Sequence, residues 1–276
     1  MKSPGEQLCA LLYYKTINPH FWSQFESKHL IATGRSAEFR AFFQESIALN
    51  LTRRLILAGE SAKKYSDPSE AGFLDYISPA INRWGLQTLN QSGGLARLVK
   101  DSVIASNHSI SRTLRTRMIG WSKLKHPMCY MCGVPLNQNL NLSRPQFDDI
   151  TLDHIWPQAY GGDSVEENLL PACRACNSDK KQDYPTWAGC DIHTLIIGDS
   201  PSEDALKSVG GRFKFALHNR AVKRLANRDG ISLRRSYVRV GCWTTEPWLL
   251  DVEEIGDFFN LENYQPERIS HDKLLL

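Results

Sequence analysis

Four of the seven cysteines fall into two C-x2-C pairs, Cys129 with Cys132 and Cys173 with Cys176, separated by 40 intervening residues. Seven cysteines scattered at random over a chain of this length would give roughly 0.15 such pairs, so two of them are not an accident of composition. A disulfide within each pair is geometrically awkward and disfavoured in a reducing cytoplasm. Two knuckles that meet at one point instead make a tetrahedral four-cysteine zinc site. Gly133 and Pro135, both turn formers, follow the first pair. Cys9, Cys190 and Cys242 are read as buried thiols outside the staple, with Cys190 and His193 forming a weaker, competing C-x2-H pair.

The staple divides the chain. Residues 1–120 read as a helical region. Ser36 stands where it can cap a helix carrying Phe39, Phe42, Phe43 and Ile47 at helical spacing, and Leu95, Leu98 and Val99 form the core stripe of another after Gly93 and Gly94. Residues 121–190 change in texture to Cys, Pro, Gly and Asn with short apolar runs, the look of a small metal-stapled module. Residues 191–276 begin with a capping box at Ser200, Pro201 and Glu203. They continue with a helix whose apolar stripe is Leu217, Ala221 and Leu225, a strand-like piece at Tyr237 to Val240, and an acidic tail. The expected fold class is α+β, a mostly helical chain with the small zinc module inserted. A packed core is feasible at 276 residues, and no run approaches 18 apolar residues, which excludes a membrane-spanning helix. The short apolar run Leu8 to Tyr14 lacks a signal-peptide cleavage site, so a cytoplasmic location is expected.

Zinc knuckles serve many binding modules, so the residues they enclose decide the chemistry. Between the pairs lie Asp153, His154, Ile155, Trp156 and Pro157, then Gly161 and Gly162, then Asn168, Leu169, Leu170 and Pro171, and Asn177 follows the second pair at once. In this order the stretch from Cys129 to Lys181, about a fifth of the chain, resembles the HNH nuclease family, whose ββα-metal motif is often stapled by two C-x2-C pairs. The resemblance makes His154 the first letter, Asn168 the second and Asn177 the third, an H-N-N variant in which Asn replaces the usual last His. The separation of Asp153 and Asn177 is similar to that in the HNH domain of the RNA-guided CRISPR nuclease, which also ends on Asn. The resemblance implies cleavage leaving a 5′-phosphate and a 3′-hydroxyl, with Asn168 holding the loop that orients His154.

The residues support the same chemistry on their own terms. Phosphodiester hydrolysis needs an activated water, a Lewis acid for the developing charge, and a scaffold that holds both in line. Asp153 and Asn177 offer hard oxygen donors, which select Mg2+ or Mn2+ over zinc. Successive residues of a strand point to opposite faces, so a strand end or bulge at Ile155 to Pro157 is needed to turn Asp153 and His154 toward one helix. His154, neutral at working pH, takes the proton of the attacking water. For His20, His29, His108, His126, His193 and His218 the structural reading is kept. Gly161 and Gly162 are read as a turn between the hairpin strands rather than a phosphate cradle, since no P-loop pattern follows.

The net charge of +3 hides a segregation: Lys207 to Arg239 holds ten Lys or Arg against the single acid Asp229, whereas residues 246–276 hold two basic and eight acidic groups. The basic block suits a polyanion, although a solvated helix face has the same composition. Lys180, Arg220, Arg224 and Arg228 are the expected contacts to DNA. The leading function is a divalent-metal-dependent DNA endonuclease, an effector of a restriction or phage-defence system, with the N-terminal helices or acidic tail docking a protein partner. The alternative is a non-catalytic zinc module that binds nucleic acid. Both predict salt-dependent DNA binding, and only the first predicts metal-dependent cleavage.

Overall fold

The computed structural model describes residues 2–15, 20, 22–24, 36–122, 127–138, 143–180, 211–241, 248–249 and 267–268. These divide into two compact units, one of residues 2–108 with Trp156–Asp163, the other of Ser109–Ile155 with the described residues from Ser164 onward. The helices after residue 210 fall in the same compact unit as the cysteines. The expected capping box at Ser200, Pro201 and Glu203, as well as Cys190, His193 and Cys242, lies outside the described residues.

The first unit is helical. Pro4 opens α1 (Pro4–Lys15), where its missing N–H costs nothing, and the Ser3 hydroxyl accepts from the Glu6 N–H at 3.3 Å. Leu8, Cys9 and Leu12 bury one face of α1, which packs against α2 (Ser36–Tyr65) and α4 (Gly94–Ser106). Ser69 caps α3 (Glu70–Arg83), which carries Pro79 and buries Phe73, Ile77 and Ile81. Gly93 leads into α4 with φ 69° and offers no side chain as a cap. Asn90 supplies one, its Oδ1 accepting from the Ala96 N–H at 3.0 Å. The sequence reading of α2 needs correction. Phe43 and Ile47 remain 38% and 37% exposed, and the buried stripe runs instead through Ala48, Leu49, Thr52, Leu55, Ile56 and Ala62. The aromatic run is eye-catching, but a 30-residue helix buries the face that stays in phase over its whole length.

The segment Trp156–Asp163 is built into this helical unit. The Gly5 N–H donates to Gly161 O at 3.0 Å, Arg53 Nη1 to Ala159 O at 2.9 Å, and Gln158 Nε2 to His108 O at 2.7 Å. Gly161 does turn the chain, at φ 79°. Its neighbour Gly162 has no room for a side chain, since a Cβ would lie 1.9 Å from Trp156 O. Gly5 is equally constrained, because a Cβ there would meet Tyr160 O at 1.8 Å. Gly5→Ala is therefore expected to push α1 off this loop and cost about 3 kcal/mol, read as a fall in the denaturation midpoint. Wild-type stability in that variant would show that helix and loop do not touch.

The second unit holds the cysteines. Strand β1 (Ile150–His154) pairs antiparallel with β2 (Leu169–Cys173), in a register that runs from Ile150 opposite Cys173 to His154 opposite Leu169. A short helix, α6 (Arg174–Lys180), continues directly from β2 and completes a ββα unit. Its first N–H groups are satisfied by the loop before β1, Arg174 N donating to Asp149 O and Ala175 N to Phe147 O, both at 2.9 Å. The core under the hairpin is shared with Met118 of α5 (Arg112–Ser122), with Ala221, Val222 and Leu225 of α7 (Gly211–Asp229), and with Tyr237, Val238 and Val240. The last three lie on a helix, α8 (Leu233–Val240), and not on the strand the sequence led us to expect. Ser232 caps α8 by accepting from the Arg235 N–H at 3.2 Å, and Ser236, Tyr237 and Val240 recur with Leu233 at helical spacing to bury one face. Two two-residue strands, β3 (Trp248–Leu249) and β4 (Glu267–Arg268), pair antiparallel. The architecture is α+β. Among the described residues no helix is long and apolar enough to cross a membrane.

Candidate nuclease site

The four cysteines converge. Cys129 N donates to Val134 O at 2.9 Å and Gly133, at φ 72°, returns an N–H to Cys129 O at 2.9 Å, which curls the first knuckle. Cys173 ends β2, Cys176 sits in the first turn of α6, and the Cys176 N–H donates to Cys173 Sγ at 3.3 Å. All four sulfurs lie within 4.8 Å of one another, and Cys132 and Cys173 are 3.8 Å apart. A tetrahedral ion with Zn–S bonds of about 2.3 Å sets its sulfurs about 3.8 Å apart, so the donor set fits zinc. Crowding also splits the thiols. Hydrogen bonding from Cys129 pulls Cys132 down to about 7 and draws Cys173 far below the ordinary thiol value. Cys129 is pushed up chiefly by Cys132, and Cys176 chiefly by Cys129. Four thiols this close cannot all ionise without a cation, and a divalent ion removes the conflict.

The remaining motif residues lie beside the staple. The ladder is regular up to His154, where β1 ends, and Asp153 and His154 have different described partners. Of the two expected devices, a strand end or a bulge at Ile155 to Pro157, the structure has the strand end. Asp153 is buried, and its Oδ2 accepts from the Tyr130 hydroxyl at 2.5 Å. His154 is half-buried, with Nε2 2.9 Å from Ser164 Oγ. Asn168, also buried, immediately precedes β2, and its backbone carbonyl accepts from the Ile155 N–H at 2.9 Å, closing the hairpin just beyond His154. On α6, the Asn177 amide nitrogen donates to Thr151 Oγ1 at 3.0 Å and lies 3.5 Å from Leu152 O, so Asn177 is held against β1.

Several supporting residues escaped the sequence reading. Glu166, in the turn before Asn168, is gripped by Arg117 of α5 at 2.5 Å and by Arg234 of α8 at 3.3 Å. Burial lowers the Arg234 guanidinium from its ordinary value, and Glu166 opposes that shift. Nothing near Glu166 in sequence announces partners 49 and 68 positions away. Ser164 and Tyr130 are closer to hand: one follows the Gly-Gly turn, the other stands between two cysteines.

The expected DNA contacts fare unevenly. The side chains of Lys180 and Arg220 lie outside the described residues, and Arg224 is half-buried. Arg228 is exposed but pairs with Asp229 at 2.7 Å, and Arg239 reaches the same carboxylate at 2.9 Å. The one acid of the basic block is thus shared by two arginines, and Arg228 holds the Asp229 carboxyl below the usual carboxylate range. His218, read as structural, is fully buried, its ring 5.8 Å from that of Tyr237.

Residues 129–183, the stretch that holds the staple and the hairpin, match the family model described as HNH endonuclease. Comparison with curated proteins and with solved structures found no match.

Proposed function

We propose that the HNH domain at residues 129–183 makes this chain a divalent-metal-dependent endonuclease that hydrolyses DNA phosphodiester bonds. The observation that carries the reading is the ββα hairpin with Asp153 and His154 at the end of one strand, Asn168 immediately before the other and Asn177 on the helix that follows it. The Asp153 carboxylate and the Asn177 amide oxygen are hard donors that would hold Mg2+ or Mn2+, which would supply charge stabilisation for the phosphoryl centre when bound. His154 removes the proton from the attacking water. Ser164 Oγ, 2.9 Å from Nε2, helps hold the ring in one orientation. Asn168 ties the two strands just beyond His154, so the imidazole is held on a rigid element rather than a free loop. The zinc site keeps the hairpin and α6 together and takes no part in the reaction. DNA is the expected substrate and the basic helix α7 a supporting contact, with a role as effector in phage defence as the biological setting.

The test is incubation of the zinc-loaded protein with supercoiled plasmid in buffer without added metal, with Mg2+ and with Mn2+. Nicked or linear plasmid only when metal is added supports the proposal. Intact plasmid under all three conditions, with zinc present and DNA bound, favours the non-catalytic binding module instead.

A further inference from the structure

We propose that Tyr130 is a positioning residue for the Asp153 carboxylate and thereby sets the affinity of the site for its divalent cation, an inference that rests on the nuclease reading above. Tyr130 lies inside the first zinc knuckle, between Cys129 and Cys132, and its N–H donates to Pro171 O of β2 at 3.2 Å. Its hydroxyl donates to Asp153 Oδ2 at 2.5 Å in a buried setting. A carboxylate on a strand can rotate about its terminal bond. Holding Oδ2 removes that freedom and presents Oδ1 in one direction.

The far side of the ring is also fixed. Tyr237 of α8 meets Tyr130 edge to face, with centroids 5.0 Å apart and planes at 87°, and the Tyr237 hydroxyl in turn donates to Asn219 of α7. Both tyrosines are fully buried. A chain of contacts therefore runs from the C-terminal helices, through the zinc knuckle, to the carboxylate. Tyr237 and Asn219 lie beyond the stretch that matches the nuclease family, so part of the support for Asp153 comes from outside the family domain. A phenylalanine would fill the same space at position 130. The hydroxyl is what reaches Asp153, and a buried hydroxyl is tolerated only with a partner.

The experiment compares the zinc-loaded full chain with Tyr130→Phe and with Ser236→Ala. The second variant removes a buried hydrogen bond from Ser236 Oγ to Val222 O, 2.7 Å long and made to α7 rather than to Tyr130 or Asp153, and controls for general loss of stability. Mn2+ binding is followed by electron paramagnetic resonance, and plasmid cleavage is titrated with Mg2+. In Tyr130→Phe both midpoints are expected to rise about tenfold or more, with zinc content unchanged and the rate largely recovered at saturating Mg2+. Ser236→Ala is expected to unfold at lower temperature with wild-type midpoints. Unshifted midpoints in Tyr130→Phe, or an equal shift in Ser236→Ala, would overturn the positioning role while leaving the nuclease intact. Wild-type protein that neither binds Mn2+ nor cleaves would reject the nuclease reading, and the inference with it.

Discussion

Alanine at His154 is expected to slow metal-dependent plasmid cleavage about 10²- to 10⁴-fold, roughly 3 to 5 kcal/mol of barrier, with zinc content and thermal unfolding close to wild type. The imidazole is only half-buried, and its Nε2 lies 2.9 Å from Ser164 Oγ. Removing it should therefore take away the base without taking away the hairpin. The effect has an upper bound, because general-base catalysis cannot account for the whole acceleration of phosphodiester hydrolysis. The residual rate should keep its dependence on Mg2+. A His154→Ala protein that cleaves at the wild-type rate would remove His154 from the reaction. An inactive but unfolded one would mean that the ring supports the hairpin, and circular dichroism on the same preparation separates the two.

The second large effect falls on stability. Cys173→Ser is expected to abolish zinc binding and unfold the ββα unit at ordinary temperature. Structural zinc in small modules contributes about 10–16 kcal/mol of apparent binding energy, against a typical domain stability of about 5–15 kcal/mol. Cys173 is only 1% exposed, ends β2 and sits in the same apolar cluster as Tyr130, Leu170 and Tyr237, so its loss touches the staple and the core together. Metal analysis by mass spectrometry and a thermal melt check both halves. A soluble, cooperatively folded Cys173→Ser protein with one equivalent of zinc would refute the four-cysteine site. A practical consequence follows for the cleavage assay. A strong chelator strips structural zinc as well as Mg2+, so catalytic metal is better withheld than chelated.

Both predictions could be framed before any coordinates, because ligand chemistry is local. A C-x2-C pair carries its own knuckle geometry, and a second pair after a Gly-Gly turn and an Asn-Leu strand start is enough to announce a stapled hairpin. Helix α4 was legible for a similar reason, with the Gly-Gly break and the stripe of Leu95 and Val99 coinciding. Tyr237 to Val240 was not. A tyrosine and two valines in four residues resemble a strand, and only Ser232, whose hydroxyl caps the turn, together with a core ready to accept one helical face, makes the segment α8. Phe43 and Ile47 misled in the opposite way, since local apolar spacing says nothing about which stripe of a long helix the rest of the unit covers.

The amino-acid order by itself determined the kinds of atom on offer: four thiols that can share one ion, and the carboxylate, amide and imidazole that the proposed nuclease would use, each in a spacing that a short hairpin and helix can bring together. Tertiary structure alone decided which neighbours those atoms have. Tyr130 reaches Asp153 across 23 positions, Arg234 reaches Glu166 across 68, and Arg53 reaches the loop after the hairpin's first strand across 106. The physical reason is range: a metal-ligand motif is written in local spacing, whereas the partner of a buried hydroxyl or carboxylate is whatever group the packed core carries to within about 3 Å of it.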